Sequence, residues 1–270
     1  MLMEKDRKFK GDEYYGWRAI NGTVNAYLDI CKRAVMNDSV FETFKSDWAY
    51  NLILELLSAD EGRHHIDSIA VNNPDLLKEA RVYIKANDSV GAPRVSSYEE
   101  YGIGEASPST LRYIKVLSDL MMLYGDLSGM NIVEIGSGYG GLALVISKKF
   151  KFSKYYNVDL LEPARLAEKY CKFHDIDNFL SITPDELYKL KGADTIDLVI
   201  SNYAFSECNE ETQDVYIEKI LSKAERGYLI HNSSEARRQR TKSIIENYDN
   251  FQVFGRDFSK KQHPIFTWGR

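Results

Sequence analysis

The chain has 270 residues, 44% hydrophobic and 28% charged, a balance that supports a sizeable buried core and excludes extended disorder or a fibrous repeat. A formal net charge of -5 disfavours a nucleic-acid polymer as the main partner. Cys31, Cys171 and Cys208 are odd in number and widely spaced, which suits reduced thiols rather than disulfides or a zinc site.

The opening MLMEKDRKFKGDEYYGW is charged and lacks the apolar run of a signal or spanning helix, so a cytoplasmic protein without membrane insertion is expected. Tyr27, Ile30, Cys31 and Val35, then Phe41, Phe44, Trp48, Leu52 and Leu56, recur at spacings of three and four, which predicts helices. Asp38 is placed to cap the second helix and Gly62 to end it. KANDSVGAPRVSSYEEYGIGEASPS, residues 85–109, is rich in Gly, Ser and Pro and has no clear period. It reads as a long connector, expected to cover an acceptor pocket with Gly91, Gly102 and Gly104 as hinges. Residues 1–106 are therefore read as an N-terminal helical region with a connector or lid, and 107–270 as a cofactor-binding domain. Ser107 or Ser109 opens the helix that leads into that domain.

Beyond it, short apolar runs alternate with helical segments. The runs are NIVEI (131–135), KYYNVD (154–159), FLSIT (179–183), IDLVIS (196–201), GYLIH (227–231), FQVFG (251–255) and PIFTWG (264–269). Between them, 140–149, 163–174, 184–190, 210–224 and 234–248 carry helical periodicity. This is an α/β, Rossmann-like rhythm. Residues 256–263 are too few for a crossover between parallel strands, so the seventh strand is expected to run antiparallel, in a hairpin with the sixth.

In such a sheet, ligands sit beyond the carboxyl ends of the strands, where strand order reverses. VEIGSGYGGL, 133–142, stands there and fits two patterns. Gly136, Gly138 and Gly141 match a dinucleotide loop, while Glu134 with Gly136, Gly138 and Gly140 matches an S-adenosylmethionine loop. Asp159, after the second strand, suits ribose hydroxyls in either cofactor. Glu134 separates them. A carboxylate beside the loop needs a cationic partner, which the methionine ammonium supplies and a pyrophosphate does not; a bridge to a nearby Lys or Arg is the alternative.

NDSVGAP (87–93), STLRYIKVLSDL (109–120), NIVEIGSGYGGLALVISKKF (131–150), YYNVDL (155–160) and DLVISNYAFSECNEETQDVYIEKIL (197–221) resemble class I S-adenosylmethionine-dependent methyltransferases, and among them bacterial sugar O-methyltransferases. Ser137 departs from the pattern, standing where such proteins often show a further glycine. The resemblance implies that Glu134 faces the methionine end, that the backbone of Gly136, Ser137, Gly138, Tyr139 and Gly140 lines it, and that Asp159 holds the ribose with Leu160 against the adenine. It further implies that Asn202 meets the amino group and that Arg112 or Tyr113 reaches the carboxylate.

Methyl transfer to a hydroxyl needs an oxygen placed behind the methyl carbon and a base for its proton. Glu207 and His231 are the candidates, with Tyr203, Ser206 and Asn232 as acceptor contacts. His64, His65 and His263 fit packing or turn roles, while His174 suits a helix end as a cation. Without a carboxylate cluster after the fourth strand, metal independence is expected. Arg237, Arg238, Arg240 and Lys242 form either a solvated face or a dock for the phosphates of a nucleotide-linked or lipid-linked sugar. The expected activity is methylation of a sugar, sugar nucleotide or glycan in bacterial surface polysaccharide synthesis. A non-sugar acceptor or an inactive cofactor-binding partner protein are the alternatives.

Overall fold

The computed structural model describes residues 21–192, 195–232, 234–257 and 263–269; the charged opening segment lies outside them. Helices α1 (Asn21–Met36), α2 (Asp38–Phe41), α3 (Trp48–Leu54), α4 (Ala59–Asn72) and α5 (Pro74–Asn87) come first. Short polar side chains set their starts. Asn37, rather than Asp38, caps α2 by accepting from the N–H groups of Ser39 and Val40, and Asp47 accepts from Ala49 at α3. Ser58 and Glu61 form a reciprocal capping box at α4. Gly62 therefore lies in the first turn of α4 instead of ending a helix. Its missing side chain leaves room for Tyr98, whose hydroxyl would stand 2.0 Å from an added Cβ.

The 85–109 stretch is more ordered than its composition suggests. It begins as the last turn of α5 and continues as a small antiparallel hairpin of β1 (Ser96–Ser97) and β2 (Glu105–Ala106). Arg63 of α4 reaches Glu100 at 2.8 Å, and Arg81 of α5 donates to the Gly102 carbonyl at 2.8 Å. These contacts pin the hairpin to α4 and α5. Helix α6 (Pro108–Tyr124) follows, with Ser107 Oγ accepting from the Thr110 N–H and Pro108 at the first position.

The remaining strands are β3 (Asn131–Ile135), β4 (Lys154–Val158), β5 (Phe179–Ile182), β6 (Leu198–Asn202), β7 (Gly227–Ile230), β8 (Gln252–Asp257) and β9 (His263–Trp268). They form one sheet of order β5-β4-β3-β6-β7-β9-β8. Five strands are parallel, and β9 runs antiparallel between β7 and β8, as the short final connection requires. Strand order reverses between β3 and β6, which places the switch point beside the glycine loop. The connecting helices are α7 (Gly141–Lys149), α8 (Leu161–Phe173), the four-residue α9 (Ala204–Glu207), α10 (Glu210–Lys219) and α11 (Glu235–Ile245). Pro184–Gly192 is a 3-10 segment rather than an α-helix.

One apolar cluster unites the N-terminal helices with α6, α7, α8 and one sheet face, through residues such as Phe44, Tyr50, Leu117, Tyr139 and Tyr170. The other face packs Val133, Tyr156 and Val199 against Tyr216 and Ile245. Packing is thus continuous across the boundary expected at residue 106. Lys45 crosses it. Fully buried, it donates from Nζ to the Asn87 carbonyl at the end of α5 (2.6 Å) and lies 4.2 Å from the centroid of the Tyr139 ring. The carbonyl and the ring replace lost water, although burial still pushes the amine down to about 8.

Candidate functional site

A cleft of about 750 Å³, counting the space at its mouth, opens at the switch point. Its base is the loop after β3. Gly136 and Gly138 have φ of +76° and +59°, values that favour glycine. A Cβ on Gly136 would stand 2.1 Å from the Ala204 Cβ, and one on Gly138 would stand 2.7 Å from Leu54 Cδ1. Bare backbone is what lets the loop meet both neighbours.

Asp159, after β4, is turned onto this loop. One carboxylate oxygen accepts from the Gly138 N–H at 3.1 Å and the other from the Leu160 N–H at 2.8 Å. Burial lifts its carboxyl to about 7, against the pull of these two N–H donors. Glu134 lies one layer deeper, 1% exposed, with its carboxylate accepting from the Tyr155 hydroxyl (2.7 Å) and the Asn202 amide (3.2 Å). Burial raises it also to about 7. Asn202 spends its amide N–H on Glu134, and its Oδ1, buried beside the cleft, has no hydrogen-bond partner among the described residues. An unsatisfied buried acceptor costs roughly 1 to 3 kcal/mol unless a ligand completes it.

Arg112, on α6, lines the cleft with its guanidinium carbon 5.5 Å from the Tyr113 ring centroid and 5.7 Å from that of Tyr203. Tyr203 follows β6 with φ +77° and ψ −40°, an outlying conformation for a bulky residue. It is held there from both sides. Its N–H donates to the Ile230 carbonyl of β7 (3.1 Å), and its carbonyl accepts from the Ser206 N–H (2.8 Å). This bend starts α9 and delivers Glu207 to the cleft wall. Glu207 Oε1 accepts from Asn232 Nδ2 at 2.6 Å. Burial holds its carboxyl above the usual range, with the Asn232 bond opposing.

Of the residues expected from sequence, Arg112, Gly136, Gly138, Asp159, Leu160, Asn202, Tyr203 and Glu207 come together on the cleft, with Glu134 behind them. Others are placed elsewhere. Tyr139 turns into the helical core, where its hydroxyl accepts from Asn87 Nδ2 (2.9 Å). Ser137 is 5% exposed, with its N–H directed to Asn157 Oδ1 (3.3 Å), and Gly140 caps α7 next to Cys171. Ser206 is 1% exposed; its Oγ lies 2.7 Å from both the Tyr203 carbonyl and Asn232 Oδ1 and accepts from the Asn232 N–H. Ser206 and Asn232 thereby brace Glu207 rather than face the cleft. His231 is fully buried, with Nε2 2.9 Å from Thr241 Oγ1 and a ring pushed down to about 3, chiefly by burial. It does not line the cleft. His174 closes α8 as expected but not as a cation, because burial, then Lys45 and Lys148, push it down to about 4.

The opposing cleft surface comes from Val24 and Tyr27 of α1 and Ile53 and Leu54 of α3, and no residue of 85–109 lines it. Sequence periodicity marks these four as core, and helical spacing carries no signal that separates a core neighbour from a cleft wall. Among the described residues, no helix is long and apolar enough to cross a membrane.

No family model and no curated protein matches the chain. Solved structures to which it is similar include the magnesium protoporphyrin IX methyltransferase ChlM of Synechocystis PCC 6803 with bound SAH, at 18% identity, covering 58% of this chain and 85% of that one with a TM-score of 0.44. Precorrin 8W decarboxylase of Methanobacterium thermoautotrophicum follows at 17%, with 58% and 90% covered and a TM-score of 0.42. An rRNA methylase of Streptococcus thermophilus is similar at 16%, with 52% and 86% covered and a TM-score of 0.41. Likeness of this degree assigns no chemistry, which must come from the cleft itself.

Proposed function

We propose that the protein is an S-adenosylmethionine-dependent O-methyltransferase acting on a sugar hydroxyl in bacterial surface polysaccharide synthesis. The observation that carries the cofactor is the pair at the cleft base: the unsatisfied Oδ1 of Asn202 with the Glu134 carboxyl behind it. Both present acceptor atoms, which suit an ammonium and repel a pyrophosphate. Arg112 is the cation beside them for the methionine carboxylate, and Asp159 keeps lone pairs for the ribose hydroxyls. The acceptor class is supported by the sequence resemblance alone.

S-adenosylmethionine supplies, when bound, an electrophilic methyl group on a sulfonium. The chain's own residues then hold the acceptor oxygen and take its proton. Glu207 is the base. It reaches the cleft, its raised pKa makes it a stronger proton acceptor than an exposed carboxylate, and Asn232 fixes its orientation. The walls from α1 and α3 limit water at the reacting oxygen. Calorimetry with S-adenosylhomocysteine and with NAD tests the cofactor, and transfer of labelled methyl to glycans tests the acceptor. Micromolar binding of NAD without heat from S-adenosylhomocysteine would overturn the reading.

A further inference from the structure

We infer that the acceptor in this cleft is an uncharged hydroxyl compound with one apolar face, of which a 6-deoxyhexose is the simplest sugar example. The inference rests on the methyl-transfer reading above and narrows its substrate. Its first support is shape chemistry. Val24, Tyr27, Ile53 and Leu54, from the contacting helices α1 and α3, line the cleft with mainly apolar groups, while Asn202, Tyr203 and Glu207, from the β6–α9 segment, line it with polar ones. A ring with hydroxyls on all sides would bury some of them against aliphatic carbon without partners, and each such loss weakens binding. A ring with a methyl or a bare C–H face on that side avoids the loss.

The second support is charge. Among the described residues lining the cleft, Arg112 is the cation, against Asp159 and Glu207, with Glu134 directly behind. Arg112 already faces two tyrosine rings and is assigned to the cofactor carboxylate. A carboxylate or phosphate next to the reacting hydroxyl would then be desolvated beside like charge, the arrangement that buried anions avoid.

The third is the state of the arginine-rich helix. Arg240 of α11 is held by Gln213 and Asp214 of α10, and Arg238 pairs with Glu235 at 3.3 Å. Arg240 thus joins two helices and Arg238 is paired within its own, so neither waits for a phosphate. Arg237 and Lys242, both half-buried on the same helix, are the remaining routes by which an anion could be held, and both enter the test.

The experiment measures kcat/KM for three methyl glycosides that differ only at carbon six: a 6-deoxyhexoside, the matched hexoside and the matched hexuronide. Non-sugar alicyclic alcohols and a sugar phosphate complete the panel. The 6-deoxyhexoside should exceed the hexoside by about 10- to 100-fold, the range that a hydrophobic wall gives against an added hydroxyl, and the hexuronide should be inert. Ile53→Asn should narrow the preference toward parity. Equal use of the hexoside, or a preference for the hexuronide or sugar phosphate that Arg237→Gln or Lys242→Gln removes, would overturn the inference. Methylation of the alicyclic alcohols without any sugar would keep the inference and sink the sugar reading. Binding of S-adenosylhomocysteine with no transfer to any member would overturn the inference alone. No binding of S-adenosylhomocysteine would sink the methyltransferase reading itself.

Discussion

At the scale of single residues, the site depends on carboxyl groups kept out of water. Glu207→Gln keeps shape and removes basicity, so turnover should fall by about 10²- to 10⁴-fold with S-adenosylhomocysteine affinity nearly unchanged. Because the base must be ionised, log kcat should rise with pH at unit slope and level off above the ordinary carboxylate range; a plateau already reached near the exposed-glutamate value would remove Glu207 from the role. His231→Asn should slow the chemical step far less, since its ring meets Thr241 rather than the cleft. Asp159→Ala should weaken S-adenosylhomocysteine by about 1 to 3 kcal/mol, read by titration calorimetry. Glu134 and Asp159 also link folding to pH. Each is raised to about 7 from an ordinary carboxylate value, so the folded state holds protons that the unfolded state has released. Their contribution is full at low pH and is lost as pH rises toward about 7. Between about pH 5 and about pH 8 the unliganded protein's Tm should fall more steeply than that of Glu134→Gln, whereas S-adenosylhomocysteine binding should strengthen with pH as Glu134 ionises opposite the ammonium. Parallel Tm curves for the two proteins would contradict this assignment.

At the scale of elements, the loop after β3 is defined by what presses on it. Gly136→Ala places a methyl 2.1 Å from the Ala204 Cβ, a short side chain that cannot swing aside, while Gly138→Ala meets the movable end of Leu54 at 2.7 Å. Both also force alanine into the left-handed region, at about 1 to 2 kcal/mol. Gly136→Ala should therefore lower Tm and S-adenosylhomocysteine affinity more than Gly138→Ala, and the reverse ranking would mean that the loop shifts as a whole. Elements of this kind were legible in the sequence where a period or a turn residue was local. All seven strands of the large sheet, the final hairpin and the glycine loop with Asp159 beyond the next strand follow from spacing along the chain. Three features were not legible for the same reason. Gly62 looks like a helix end until Tyr98, distant in sequence, fills its missing side chain. His231 looks available until α11 brings Thr241 against it. Residues 85–109 look like a lid because composition does not reveal that Arg63 and Arg81 tie them to α4 and α5.

At the scale of the molecule, the N-terminal helices and the sheet share one core, and Lys45 is buried at their seam among Phe44, Tyr139 and Tyr170. Thermal unfolding should give one calorimetric transition whose enthalpy matches the van't Hoff value; two resolved transitions would show that the helices fold apart from the sheet. The cleft belongs to both parts, so the wall contributed by α1 and α3 could not be read from the glycine motif, which lies wholly within the second. The position of β9 bears on how such a molecule is made. This strand lies inside the sheet although it is formed from late residues, between β7 and a β8 that pairs with nothing else in the sheet. Until the ribosome has released β9, the growing chain holds five parallel strands whose β7 edge has bare N–H and C=O groups, an open template for another nascent chain. Protection from aggregation during synthesis therefore rests on the strand of this sheet that emerges after all the others, and ribosomes stalled before His263 should yield chains that depend on chaperones to stay in solution.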